Sequence, residues 1–167
     1  MNRVRTIAIL LVMLGASFTT YHVAFSHCEI PCGIYGDKTR IDLLLEDIST
    51  VEKSMQQINS LQNASPLNYN QIIRWVNNKE EHANKIQHIA TQYFMTQRIK
   101  PKGMDDKAAY EKYTTQLTAM HGLMVHAMKA KQTTDVAHCE HMRKHIETFA
   151  KNYFSKEDLE HLRGHHK

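Results

Sequence analysis

The chain of 167 residues is poor in the residues that make turns, with six glycines and three prolines. That scarcity argues against an all-β fold, whose many short strands need frequent tight turns. Charge of one sign is lacking too. The net charge is +4, and two of the basic residues, Arg3 and Arg5, stand in an acid-free stretch before residue 27, so the rest carries +2. A balance so even and so scattered excludes a nucleic-acid-binding face. No apolar run is long. The most apolar one, "TIAILLVMLGASF", holds about a dozen residues, too few for a comfortable membrane span. Cysteine is scarce, with three in all, whereas histidine is plentiful, with twelve. Apolar residues at 42% and charged residues at 23% are ordinary for a globular protein, and the length suits one domain with a core of its own.

The apolar run follows a short basic start, "MNRVR", and leads into "TTYHVAFS", where Ala24 and Ser26 occupy the −3 and −1 positions of a cut before His27. This layout predicts a secretory signal peptide or cleaved leader over residues 1–26 and an exported mature chain, periplasmic or extracellular. An uncleaved amino-terminal anchor is the competing reading. A lipoprotein signal fits poorly, because His27 rather than a small residue precedes Cys28.

Beyond residue 36 the periodicity is helical throughout. Ile41, Leu44, Ile48, Val51, Met55, Ile58 and Leu61 alternate steps of three and four, with Asp37 as a candidate N-cap. A second stripe carries Ile72, Trp75, Val76, Ala83, Ile86, Ala90, Tyr93 and Phe94 and ends near "IKPKG". A third carries Tyr110, Tyr113, Leu117, Met120, Met124 and Met128, the methionines read as core filler. The fourth, capped by Thr134 or Asp135, carries Val136, Cys139, Met142, Ile146, Phe149 and Tyr153. "SKED" from Ser155 has the form of a capping box that opens a short tail helix. The predicted fold is all-α, an antiparallel four-helix bundle over about 37–154 with an amino-terminal hook over residues 27–36.

The hook, "HCEIPCGIYG", places two of the three cysteines four residues apart behind a histidine. Thiolates and an imidazole suit a soft or borderline transition metal. A cut before His27 would add a free α-amine beside the Cys28 amide, and amine, amide nitrogen and two thiolates make a planar N2S2 set that favours Ni(II) or Cu(II) over tetrahedral zinc. The His27 imidazole could reach an axial position. Pro31 and Gly33 would shape the loop, one fixing φ and the other permitting a tight return. On spacing alone a Cys28–Cys32 disulfide fits an exported protein equally well. A zinc site short of its fourth ligand and a chance pairing also stay open.

The stretch resembles the nickel hook of the nickel-containing superoxide dismutases, His-Cys-x-x-Pro-Cys-Gly-x-Tyr, and His27, Cys28, Pro31, Cys32, Gly33 and Tyr35 match every fixed position. The resemblance implies a four-helix bundle, made as a precursor whose leader a peptidase removes, that assembles as a homohexamer. It implies nickel as the cofactor, bound by His27, Cys28 and Cys32, and dismutation of superoxide to O2 and H2O2 by Ni(II)/Ni(III) cycling. It implies that Tyr35 covers the open face of the metal, with Tyr93 in "QYF" as its hydroxyl partner. The family's carboxylate that holds the axial imidazole aligns with Asp42 in "TRID", one residue closer to Tyr35 than usual and shorter than the familiar Glu; Glu46, one turn on, is the fallback. The family's second-helix arginine has no clear match in "VNNKEEHA". No nucleic-acid partner and no stable membrane insertion after cleavage are expected. Cytoplasmic residence after leader removal is the alternative localisation.

Histidines outside the hook raise a separate question. His138, His141 and His145 recur at one-turn spacing beside Cys139, a pattern open to a second metal site. The simpler expectation is a buried Cys139 and solvated histidines, with the carboxy-terminal "HLRGHHK" a ragged tail that binds metal weakly. A metal-binding or metal-delivery bundle and a disulfide-stapled interaction module are the other functions to weigh.

Overall fold

The first helix, α1 (Ile34–Leu61), buries one stripe: Ile41, Leu44, Ile48, Val51, Met55 and Ile58 all lose nearly all their solvent contact. A computed structural model of the chain describes residues 33–158 and residue 160. The leader and the hook donors His27, Cys28 and Cys32 lie outside the described residues, as does the tail from residue 161. α2 (Tyr69–His88) is continued by a π-helical segment (Ile89–Arg98); α3 (Lys107–Gln132) and α4 (Ala137–Tyr153) follow. Each helix packs on its sequence neighbours, and α4 closes the ring against α1. With connections of a few residues, this is an all-α, up-and-down bundle. Among the described residues there is no strand.

Caps set several of the ends. The Asn68 side chain accepts from the Gln71 N–H at 3.2 Å, and Asp106 from the Ala109 N–H at 3.0 Å. Asp135 accepts from the Ala137 N–H at 2.9 Å, as its place before α4 suggests. Ser155 and Asp158 bond reciprocally, backbone to side chain, at 2.9 and 3.0 Å, the expected capping box. The buried Lys79 ammonium donates to the carbonyls of Ala130 at 2.8 Å, Lys131 and Thr133, satisfying α3's last carbonyls from the neighbouring helix.

Two stripes differ from expectation. At the start of α2, Ile73 and Val76 are exposed together with Tyr69 and Leu67, and the core begins only at Ala83 and Ile86. On α3, Met120 is buried but Met124 is half-buried and Met128 exposed. The inward face is instead Ala119, Met120, Leu123, Ala127 and Ala130. Alanines allow closer approach of backbones, so the small residues face inward and the flexible methionines lie at the edge. The fourth stripe holds: Cys139, Met142, Ile146 and Phe149 are buried.

α2 does not end as a regular helix. From Ile89 it widens so that bonds span five residues: the Ile99 N–H reaches the Phe94 carbonyl at 2.9 Å, and the Thr96 hydroxyl reaches the Thr91 carbonyl at 2.7 Å. Adjacent residues Ile89 and Ala90, then Tyr93 and Phe94, are all buried there. Phe94 packs edge-on against Tyr93, Phe149 and Tyr153 with ring centroids 5.1, 4.8 and 5.9 Å away, forming the aromatic end of the core.

Candidate functional site

The described chain emerges from the hook at Gly33, whose φ of 101° is a conformation that side-chain-bearing residues rarely adopt. Its carbonyl accepts the Asp37 N–H at 2.8 Å, so α1 starts at once. The helix thus begins at Ile34, three residues ahead of the expected cap. Asp37 is not a cap. It is 2% exposed and belongs to the buried stripe, one turn before Ile41.

Around that carboxylate the bundle converges. The Tyr93 hydroxyl donates to Asp37 Oδ1 at 2.7 Å, and the Tyr153 hydroxyl to Oδ2 at 2.8 Å. Arg98 Nη2 donates to Oδ2 at 2.6 Å while its Nε donates to the Tyr153 hydroxyl at 3.0 Å. One carboxylate therefore joins the first turn of α1, the π-helical segment and the last residue of α4. Burial, reinforced by the bond to Asp37, raises the Tyr93 phenol above its ordinary range and pushes Tyr153 up to about 12. Burial disfavours the Arg98 charge, but its bonds to Asp37 and Tyr153 outweigh that, and its proton is held more tightly than usual. Both phenols are thus neutral donors at neutral pH. The Arg40 guanidinium lies 5.0 Å from the centre of the Tyr93 ring, within cation–π range.

The sequence-predicted residues fall as follows. Tyr93 is fully buried in this network. Tyr35, in the first turn of α1, is 49% exposed. Asp42 is exposed on the outer face of α1 and pairs with Lys38 one turn earlier; Glu46 is exposed beyond it. Asp37, Arg98 and Tyr153 are additions. A signal for Asp37 was present, because stepping back four residues from Ile41 along the buried stripe lands on it. For Arg98 and Tyr153 no local signal existed, since their partner is about 60 residues away or more.

Among the described residues no group of three His, Cys, Asp or Glu side chains is already gathered to hold a metal ion. His27, Cys28 and Cys32, the residues that the sequence offers for that task, lie outside the described residues. Imidazole and thiolate are donor types that suit nickel among the borderline transition metals. The described fold is an all-α bundle, and the sequence ahead of its first helix carries residue types that suit a transition metal. Residues 22–157 match the family model for nickel-containing superoxide dismutase, so one match takes in hook and bundle together. The chain belongs to that family: it is a nickel-dependent enzyme that converts superoxide to O2 and H2O2. No curated protein and no solved structure matches it. The metal-delivery reading is not favoured.

Proposed function

We propose that the enzyme works at a hook in which the His27 amine and imidazole, the Cys28 amide nitrogen and thiolate, and the Cys32 thiolate hold nickel once residues 1–26 have been removed. The observation that carries this reading is the family match that spans the hook and the bundle as one unit. The bound metal supplies the one-electron redox change that superoxide dismutation requires. The amine and its neighbouring amide form one chelating pair only at a free terminus, which makes cleavage before His27 part of the chemistry. A leader peptidase is the implied partner, and export to the periplasm or beyond follows from the leader's layout; cytoplasmic processing is the alternative.

Tyr35, half-exposed at the root of the hook, covers the open side of the site and restricts access to it. Tyr93 keeps its proton on Oη and donates it to Asp37 Oδ1 in the buried network. With that proton held above the ordinary phenol range, Tyr93 acts by position and not as an acid. Asp42 is the carboxylate for the His27 imidazole, with Glu46 one turn on in reserve. The exposed apolar residues Leu67, Tyr69, Ile73 and Val76 support burial between subunits, in line with a homohexamer.

Cys28→Ser and Cys32→Ser test the assignment. Each variant should lose nickel and turnover while its helical circular dichroism stays near wild type, because the core is built from residues 41 onward. Full turnover in either variant would remove the thiolates from the ligand set, and collapse of the helical signal in both would point to a structural disulfide or zinc.

A further inference from the structure

Opposite the aromatic end of α4, four imidazoles face each other across the α3–α4 seam. His126 of α3 has its Nδ1 3.2 Å from Nδ1 of His138 at the start of α4. Its ring is stacked on His141 with centroids 4.5 Å apart, and lies 5.3 and 5.6 Å from those of His138 and His145. The seam is shaped for them. A β-carbon on Gly122, one turn before His126, would fall 2.2 Å from His145 Cε1, so the absence of a side chain there is what admits the His145 ring. His126, His138 and His145 are half-buried and His141 is exposed, leaving the cluster open to solvent on one side. The expectation that the α4 histidines are simply solvated is therefore met only by His141.

We infer that this seam is a second metal site, independent of the hook, that takes one divalent transition-metal ion of the imidazole-preferring class through His126 and His138, with His141 as a third ligand. The separation carries the inference. Two nitrogens bound at ~2.0–2.1 Å and subtending about 100° at one ion stand ~3.2 Å apart, the spacing the pair already has. Among the described residues no three His, Cys, Asp or Glu side chains are already gathered to hold a metal ion, so a turn of the exposed His141 side chain would complete the set, with water in the remaining position. Imidazole nitrogens suit zinc, copper and nickel. An ion there would staple α3 to α4 and leave the redox chemistry to the hook.

Zinc is the probe, because it has no redox chemistry of its own. Nickel-loaded, processed full-length enzyme is equilibrated with Zn(II), and bound zinc and nickel are counted by elemental analysis. The expected result is one zinc per chain with nickel retained, and a thermal midpoint raised by ~5 °C at saturating zinc. His126→Gln and His138→Gln should each weaken zinc binding at least about tenfold. A variant with His161, His165 and His166 of the tail changed to Ala should still bind it. In wild-type enzyme the ring resonances of His126 and His138 should shift on zinc addition, a measurement that needs no variant to fold. No zinc beyond the hook, zinc lost only with the tail histidines, or zinc bound without movement of those two rings would overturn the site.

Discussion

Two clusters sit toward opposite ends of α4, His138 and Tyr153 being 15 residue steps apart, about 22 Å of helix. At one end a single carboxylate, Asp37, accepts from two phenols and a guanidinium. Charge is balanced there, and no buried side-chain nitrogen or oxygen among the described residues goes without a hydrogen bond. At the other end four imidazoles crowd one another, each a weaker ligand group whose best partner is not another imidazole. The first cluster uses all its bonding capacity within the protein, so it fixes structure: it locks the turn from which the hook departs. The second is built of imidazoles, open to solvent on one side, and is the cluster proposed to take up an ion. A saturated polar cluster holds structure in place, whereas a cluster of imidazoles offers groups suited to a metal.

The largest effect should come from emptying the saturated cluster. Asp37→Ala strips the acceptor from Tyr93, Tyr153 and Arg98 and leaves a cation partly buried. Urea unfolding should show a loss of about 3–5 kcal/mol. Removal of His126 should cost under about 1 kcal/mol by the same measurement, since the pair it breaks is between half-buried rings. Equal costs at the two sites would erase the distinction.

Tyr153→Phe keeps the ring among Phe94, Phe149 and Phe154 but deletes the hydroxyl that bridges Asp37 and Arg98. A loss of about 1–2 kcal/mol is expected, visible as a lower urea midpoint with an unchanged slope. An unchanged midpoint would mean that the bridge contributes nothing.

Alkali probes the same cluster without mutation. Tyr93 and Tyr153 hold their protons more tightly when folded than an exposed phenol does, at about 10, and Tyr153 titrates at about 12. The stability they contribute is therefore fully present below about pH 10 and is lost as pH rises through about 12. Two of the chain's tyrosines should ionise late, in step with unfolding, when tyrosinate absorbance is followed against pH. Titration of every tyrosine near 10 in the folded protein would contradict the buried hub.

The smallest effect belongs to the surface. Asp42→Asn breaks an exposed pair with Lys38 and should change stability by no more than about 1 kcal/mol. Turnover should fall all the same if Asp42 holds the His27 imidazole. Full activity in Asp42→Asn would pass the role to Glu46.

Much of this was written locally in the chain. The α1 stripe from Ile41 to Ile58 and the α4 stripe from Cys139 to Phe149 follow helical spacing residue by residue, and the Ser155 box reads off four letters. α3 was misread because a hydrophobicity pattern weights methionine above alanine, whereas packing distance favours Ala119, Ala127 and Ala130. Nothing in "IATQYFMTQR" interrupts a regular helix, so the π winding comes from tertiary fit and left no local mark. The family was legible in the hook motif because ligand chemistry demands particular residue types at fixed short spacing. Asp37 was legible only in part: its position on the stripe could be read, but its partners come from helices that only the fold brings together.

The proposed chemistry depends most on a free amine at His27. Intact mass analysis of the active, nickel-containing protein from its native host measures this directly. The mature chain should begin at His27, with residues 1–26 gone and one nickel per chain. A fully active chain that begins at any other residue would contradict the hook as the seat of the chemistry.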